Sequence, residues 1–216
     1  MLSLSKTHYL WCELAVLSVM PTYVLMALPS AAWFIPALWL FASLCLYYLC
    51  HHQRALQKIW GWRAVNRQSI LAITYRFIPL ALLISAVTLV YQPKLILSLY
   101  RRNPFLWLMV MVLYPPLSVV PQELIYRSFL FQRYRRLFQQ KWWWVIVSAL
   151  AFALGHAFLR NGLAPLMTFF GGLLFAQTYE RTRSLALVSF EHALYGNFIF
   201  TLGLGSYFYH GTVMTS

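Results

Sequence analysis

Seven stretches of this chain are apolar for about 20 residues at a time, which rules out a soluble domain of ordinary composition. They are residues 9–28, 31–50, 70–91, 105–132, 142–159, 162–179 and 185–208. A helix rises 1.5 Å per residue, so about 20 residues cross roughly 30 Å of hydrocarbon. The reading is an all-α, polytopic transmembrane helical bundle of about seven spans (six to eight). It forms a single integral membrane domain over residues 1–216, with no room for a long linker. The composition agrees, with 61% hydrophobic and 10% charged residues against about 25% charged in soluble domains. The first run lacks a small-residue cleavage site and reads as a retained span, not a signal peptide.

Charge is scarce and one-sided. Seventeen Lys and Arg face four acids, namely Glu13, Glu123, Glu180 and Glu191, and there is no Asp. Chemistry that needs paired aspartates, or a cage of several carboxylates around a hard cation, is thereby excluded. A net charge of +13 does not imply nucleic acid, because no basic soluble domain exists to present it. Its expected roles are orientation in a bilayer and contact with anionic lipids. Lys6, Arg54, Lys58, Arg63, Arg67, Arg133, Arg135, Arg136, Lys141, Arg181 and Arg183 fall on alternate connections. Lys94, Arg101, Arg102 and Arg160 fall on the others, and Arg76 and Arg127 lie inside spans. By the positive-inside rule the N-terminus is cytoplasmic and the C-terminus outside. Trp142, Trp143 and Trp144 read as an interfacial belt, and Cys12, Cys45 and Cys50, all in apolar runs, read as packing residues.

The fourth run contains Pro115, Pro116 and Pro121 before the polar pair Gln122-Glu123. Each proline frees a backbone carbonyl, which lipid cannot satisfy, so a Pro-kinked helix facing protein or a water-filled cavity is expected.

Ionisable groups inside a membrane are expensive, and each is a functional candidate. Counted from the expected cytoplasmic ends of their spans, Glu123 lies ~15 Å deep, His156 roughly 16 Å and His192 about 13 Å. Three titratable groups on three helices thus reach one level. Arg127 is one turn beyond Glu123, on the same face, where it can hold the carboxylate ionised. Glu13 and Arg76, both ~10 to 14 Å deep, are expected to pair with each other. Glu180 is expected at the interface beside Arg181. His8, His51, His52 and His210 are expected at solvated span ends.

A carboxylate, two imidazoles, a guanidinium and the amides Gln122 and Asn197 form a set suited to hydrolysis. Glu123 can take a proton from water as general base, while His156, His192 and Asn197 position water or stabilise an oxyanion. Glu123, His156 and His192 could instead ligate zinc, although no His-Glu-x-x-His motif supports it. No Gly-x-Ser-x-Gly elbow is present for a serine mechanism. An ion-coupled transporter using the buried Glu and Arg would be expected to show inverted repeats, and none is visible.

Three segments carry a family resemblance: Pro121-Gln122-Glu123-Leu124-Ile125-Tyr126-Arg127, Phe152-Ala153-Leu154-Gly155-His156, and His192-Ala193-Leu194-Tyr195-Gly196-Asn197. They resemble the motifs Glu-Glu-x-x-x-Arg, Phe-x-x-x-His and His followed by Asn a turn later. These belong to the CPBP intramembrane proteases, which include the CAAX prenyl endoproteases and Abi-type bacterial proteins. The resemblance covers residues 105–205, the expected protease-like core. It implies an integral protein, in bacteria of the inner membrane, that cleaves a protein or peptide substrate which is membrane-associated or C-terminally tagged. In the family a glutamate activates water, with metal-dependent and metal-independent mechanisms both proposed. Glu123, Arg127, His156 and His192 align with the motif residues. Two positions depart: Gln122 stands where the first glutamate is usual, and Asn197 follows His192 by five positions instead of four. The departures leave open whether Glu123 or Glu191 is the base, or whether the chain is a non-catalytic membrane binding or immunity protein of the same fold.

Overall fold

A computed structural model describes residues 4–52 and 56–208; Arg54 and His210 lie outside the described residues. Every apolar run coincides with a helix, and no strand occurs among the described residues. The long helices are α1 (Leu4–Ala27), α2 (Phe34–His52), α3 (Arg67–Tyr91), α4 (Pro104–Leu137), α5 (Lys141–Leu154), α6 (Leu163–Thr182) and α7 (Leu185–Thr201). Five segments are long and apolar enough to cross a membrane: α1 to α4, and α5 with the turn that follows it to Leu159. Of the other two, α6 ends in the polar run Gln177–Thr182 and α7 has 17 residues. Both are interior, with α7 packed against α3, α4 and α6, and α6 against α5.

Local chemistry starts the helices. The side chains of Asn66, Asn103 and Ser184 accept from the backbone N–H of Ser69, Leu106 and Leu187, covering donors that a helix N-terminus leaves free. Pro104 follows Asn103 at the first helical position, where a missing N–H costs nothing. Outward faces of α2 and α3 carry Leu40, Leu44, Leu82, Leu83 and Val90, all largely exposed. Polar side chains gather instead between α3, α4, α6 and α7, the inside-out arrangement that lipid favours.

The prolines widen α4 more than they break it. Its course is α-helical to Tyr114, π-helical over Pro115–Val119, α-helical over Val120–Glu123 and π-helical again over Leu124–Phe129. Val120 N–H bonds to Pro115 O and Leu130 N–H to Ile125 O, both five residues back. Pro115 and Pro121 cannot donate to the carbonyls four residues before them, those of Met111 and Leu117. Side chains take their place: Asn197 Nδ2 donates to Met111 O at 3.2 Å, and Trp39 Nε1 to Leu117 O at 3.0 Å. The expected kink is therefore a wide-turned helix whose freed carbonyls are met by α7 and α2.

Three expectations need correction. Glu13 and Arg76 do not pair with each other. Glu13 binds Arg133 in a two-point contact at 2.7 and 2.9 Å and accepts from Tyr134 Oη at 2.8 Å, while Arg76 holds Glu191 at 3.0 Å. Depth along a helix fixes a level but not the side of the helix, so each acid met a different cation at its level. Glu180, for which no partner was expected, pairs with Arg183, one turn on. Trp144 is buried among Phe131 and Phe138, leaving Trp142 and Trp143 to face outward. Consecutive helical residues turn about 100° from each other, so three in a row cannot share a face. Cys45 is buried while Cys12 and Cys50 lie on outward faces, all three as free thiols.

Candidate active site

The α4–α7 interface is an antiparallel ladder of side-chain bonds. Trp107 Nε1 donates to Thr201 Oγ1 at 3.1 Å, and Asn197 meets Met111 O one turn deeper. Next, Tyr114 Oη lies 3.1 Å from His192 Nε2, and His192 Nδ1 lies 2.7 Å from Glu123 Oε1. The ladder thus ends on one imidazole held between a phenol and a carboxylate.

Glu123 and Arg127 are fully buried, and His192 is 6% exposed. Arg127 Nε stands 3.2 Å from Glu123 Oε2, the i,i+4 ion pair expected from the sequence. The contact is one of charge more than of aligned hydrogen bonding, since neither atom has a hydrogen-bond partner. Arg127 also donates from Nη2 to Gly172 O at 3.4 Å and lies 4.6 Å from the centre of the Phe152 ring. An unpaired carboxylate at this depth would be very costly, and the guanidinium, itself spread over aromatic faces, offsets that cost. On the other side, the Phe175 ring stacks on His192 with centroids 4.6 Å apart.

These bonds settle the imidazole. A carboxylate only accepts, so Nδ1 of His192 carries the hydrogen and donates to Glu123. In the neutral ring Nε2 then presents a lone pair toward Tyr114. This is the connectivity of a carboxylate–imidazole–hydroxyl triad.

The remaining predicted residues divide. His156 donates from Nδ1 to the Phe152 carbonyl at 2.8 Å, and its ring meets the Phe152 ring edge-on at 4.6 Å. The same Phe152 ring lies 5.5 Å from His192, so the two histidines share a neighbour without a bond between them. Gln122 donates to Ser118 Oγ at 2.7 Å along its own helix, and its Oε1 is buried without a partner. Asn197 is turned to Met111 O and not to His192. Glu191 faces away from its neighbour His192, toward Arg76, which also donates to Thr178 at 2.8 Å and Gln177 at 3.2 Å. Tyr114 is not among the residues that the motifs single out. Its signal in the sequence is Gly196, one turn after His192, where a missing side chain leaves room for a ring.

Zinc does not fit this arrangement. Both nitrogens of His192 and both oxygens of Glu123 face protein partners, and His156 is bonded to none of them. Among the described residues no three His, Cys, Asp or Glu side chains are grouped to hold a metal ion.

Residues 101–199 match the family model described as Rce1-like, type II CAAX prenyl endopeptidase. The chain carries an Rce1-like domain. Comparisons with curated proteins and with solved structures give no match. The Rce1-like stretch runs from just before α4 into α7 and contains Gln122, Glu123, Arg127, His156, His192 and Asn197. The match supports, at family level, a CAAX-type membrane endopeptidase, a class whose substrates are proteins or peptides.

Proposed function

We propose that this protein is an active intramembrane endopeptidase that hydrolyses a peptide bond of a membrane-associated or C-terminally tagged substrate. The observation that carries the reading is the buried Glu123–His192 pair, held by Arg127 inside an Rce1-like stretch. Residues 1–216 act as one membrane domain with residues 105–205 as the protease-like core. The N-terminus is cytoplasmic, the C-terminus outside, and anionic lipids meet the basic face.

In this reading Glu123 activates water through His192. The carboxylate faces Arg127 and keeps Nδ1–H pointed at itself, which leaves the lone pair on Nε2 as the base. Water gives a proton to Nε2 as its oxygen bonds to the carbonyl carbon. The imidazolium so formed faces Glu123, which stabilises it. When the tetrahedral intermediate collapses, the C–N bond breaks and the proton on Nε2 passes to the departing nitrogen, giving a carboxylic acid and an amine, which then exchange a proton to leave carboxylate and ammonium. His156, fixed by the Phe152 carbonyl, presents Nε2 as a second polar group for water or substrate. Gln122 is no base in this scheme, since an amide has no basic lone pair near neutral pH; it contributes a neutral polar group beside Glu123.

Glu123→Gln tests the reading. The amide oxygen still accepts from Nδ1–H while the charge that stabilises the imidazolium is lost; because Arg127 then stands without its counter-charge, wild type and variant are compared at equal levels of folded protein. Membranes containing the wild type should yield new substrate C-termini in terminal proteomics, and those with E123Q should not. Unchanged processing in the variant would reject the endopeptidase and favour a non-catalytic binding protein.

A further inference from the structure

We infer that Tyr114 is a further catalytic residue, whose hydroxyl donates to the carbonyl oxygen of the scissile bond; the inference rests on the endopeptidase reading above. Exposure falls along the bonded chain, from the half-buried Tyr114 through His192 at 6% to the fully buried Glu123. Tyr114 is thus the most exposed member of the bonded chain that ends on the buried pair.

The ring has a prepared seat. A Cβ built on Gly196 would fall 2.4 Å from Tyr114 Cε1 and 2.5 Å from Tyr114 Oη. Tyr114 therefore rests on the bare backbone of α7, one turn beyond His192, in a place no side chain at residue 196 would allow. Phe200 closes the same side with its ring centroid 5.1 Å away. With the ring fixed between these groups, the freedom that remains is rotation of the O–H bond.

That rotation supplies what the hydrolytic step needs. Without substrate, the hydroxyl donates to Nε2 of His192 and occupies the lone pair. When a peptide carbonyl arrives beside Oη, the O–H turns to it, and Nε2 is released to take the proton of water. Negative charge developing on the carbonyl oxygen then meets a donor already in place, while Tyr114 keeps its own proton throughout. Among the described residues no other neutral donor is bonded to His192, and Asn197 is turned to Met111 O.

Tyr114→Phe is the test, because it removes one oxygen and leaves the ring on Gly196. With a prenylated CAAX-ending reporter peptide, kcat should fall about 10²–10³-fold, the loss typical of one oxyanion donor. KM should change by less than about twofold, as expected for an interaction made in the transition state. A kcat within about threefold of wild type, at this scale of effect, would overturn the assignment. Nitrogen NMR of histidine-labelled protein gives an independent readout: the His192 Nε2 resonance should shift in Y114F. An unmoved resonance would overturn the assignment whatever the activity. A shifted resonance with no cleavage by the wild type would reject the endopeptidase reading, and the catalytic role with it, while leaving the hydrogen bond established.

Discussion

Arg127→Met tests the idea that the arginine is there to hold a buried charge. Both partners are fully buried, so the variant leaves Glu123 with an imidazole N–H and no cation. Removing one partner of such a pair costs about 3–5 kcal/mol. Part of the loss belongs to packing: the guanidinium lies 4.6 Å from the Phe152 ring centre, a desolvated contact worth about 2 kcal/mol. The two components separate in the double variant R127M/E123Q, where the carboxylate is neutral and its amide oxygen still accepts from His192. The double variant should lose only about 2 kcal/mol, the cation–π share, and so be more stable than R127M alone. Reversible unfolding in mixed detergent micelles, run on wild type, both singles and the double, measures the cycle. If R127M and the double variant lose the same amount, the carboxylate was not the reason for the arginine, and the charge argument fails.

Asn197→Ala should orphan the Met111 carbonyl and cost about 1–3 kcal/mol while sparing turnover; adding Pro115→Ala returns a backbone N–H and should recover most of the loss in the same unfolding assay. Glu13→Gln should cost about 1.5–3 kcal/mol, the range for hydrogen bonds to charged groups, and the exchanged pair E13R/R133E should regain part of it if the contact joins α1 to α4 as described. Chelation should leave reporter cleavage unchanged, and purified protein should carry well below one equivalent of zinc by elemental analysis, since among the described residues no third ligand is grouped with Glu123 and His192.

Much of this was legible in the sequence because lipid permits few solutions. Apolar runs marked all the long helices, and counting 1.5 Å per residue placed Glu123 and His192 at one level, where the structure bonds them. The i,i+4 rule gave Arg127 its partner. What residue counting lacks is direction around the helix. Glu13 and Arg76 were matched by depth and turned out to face Arg133 and Glu191. Asn197 looked like a site donor, yet the carbonyl freed by Pro115 claimed it. Tyr114 was one of 14 tyrosines and had no charge to draw notice; only the space left by Gly196 distinguishes it.

The π-helical turn at Pro115–Val119 also sets a phase. Tyr114 and Glu123 are nine positions apart, and nine steps of about 100° in a regular helix amount to about 900°, which puts them on opposite faces. A π turn absorbs one extra residue, which takes back about 100° and brings the two side chains to within about 80° of each other. That is how both can reach the two nitrogens of a single imidazole. A homologue shortened by one residue between 115 and 119 would keep every motif letter for letter, yet its phenol and carboxylate would point to different neighbours.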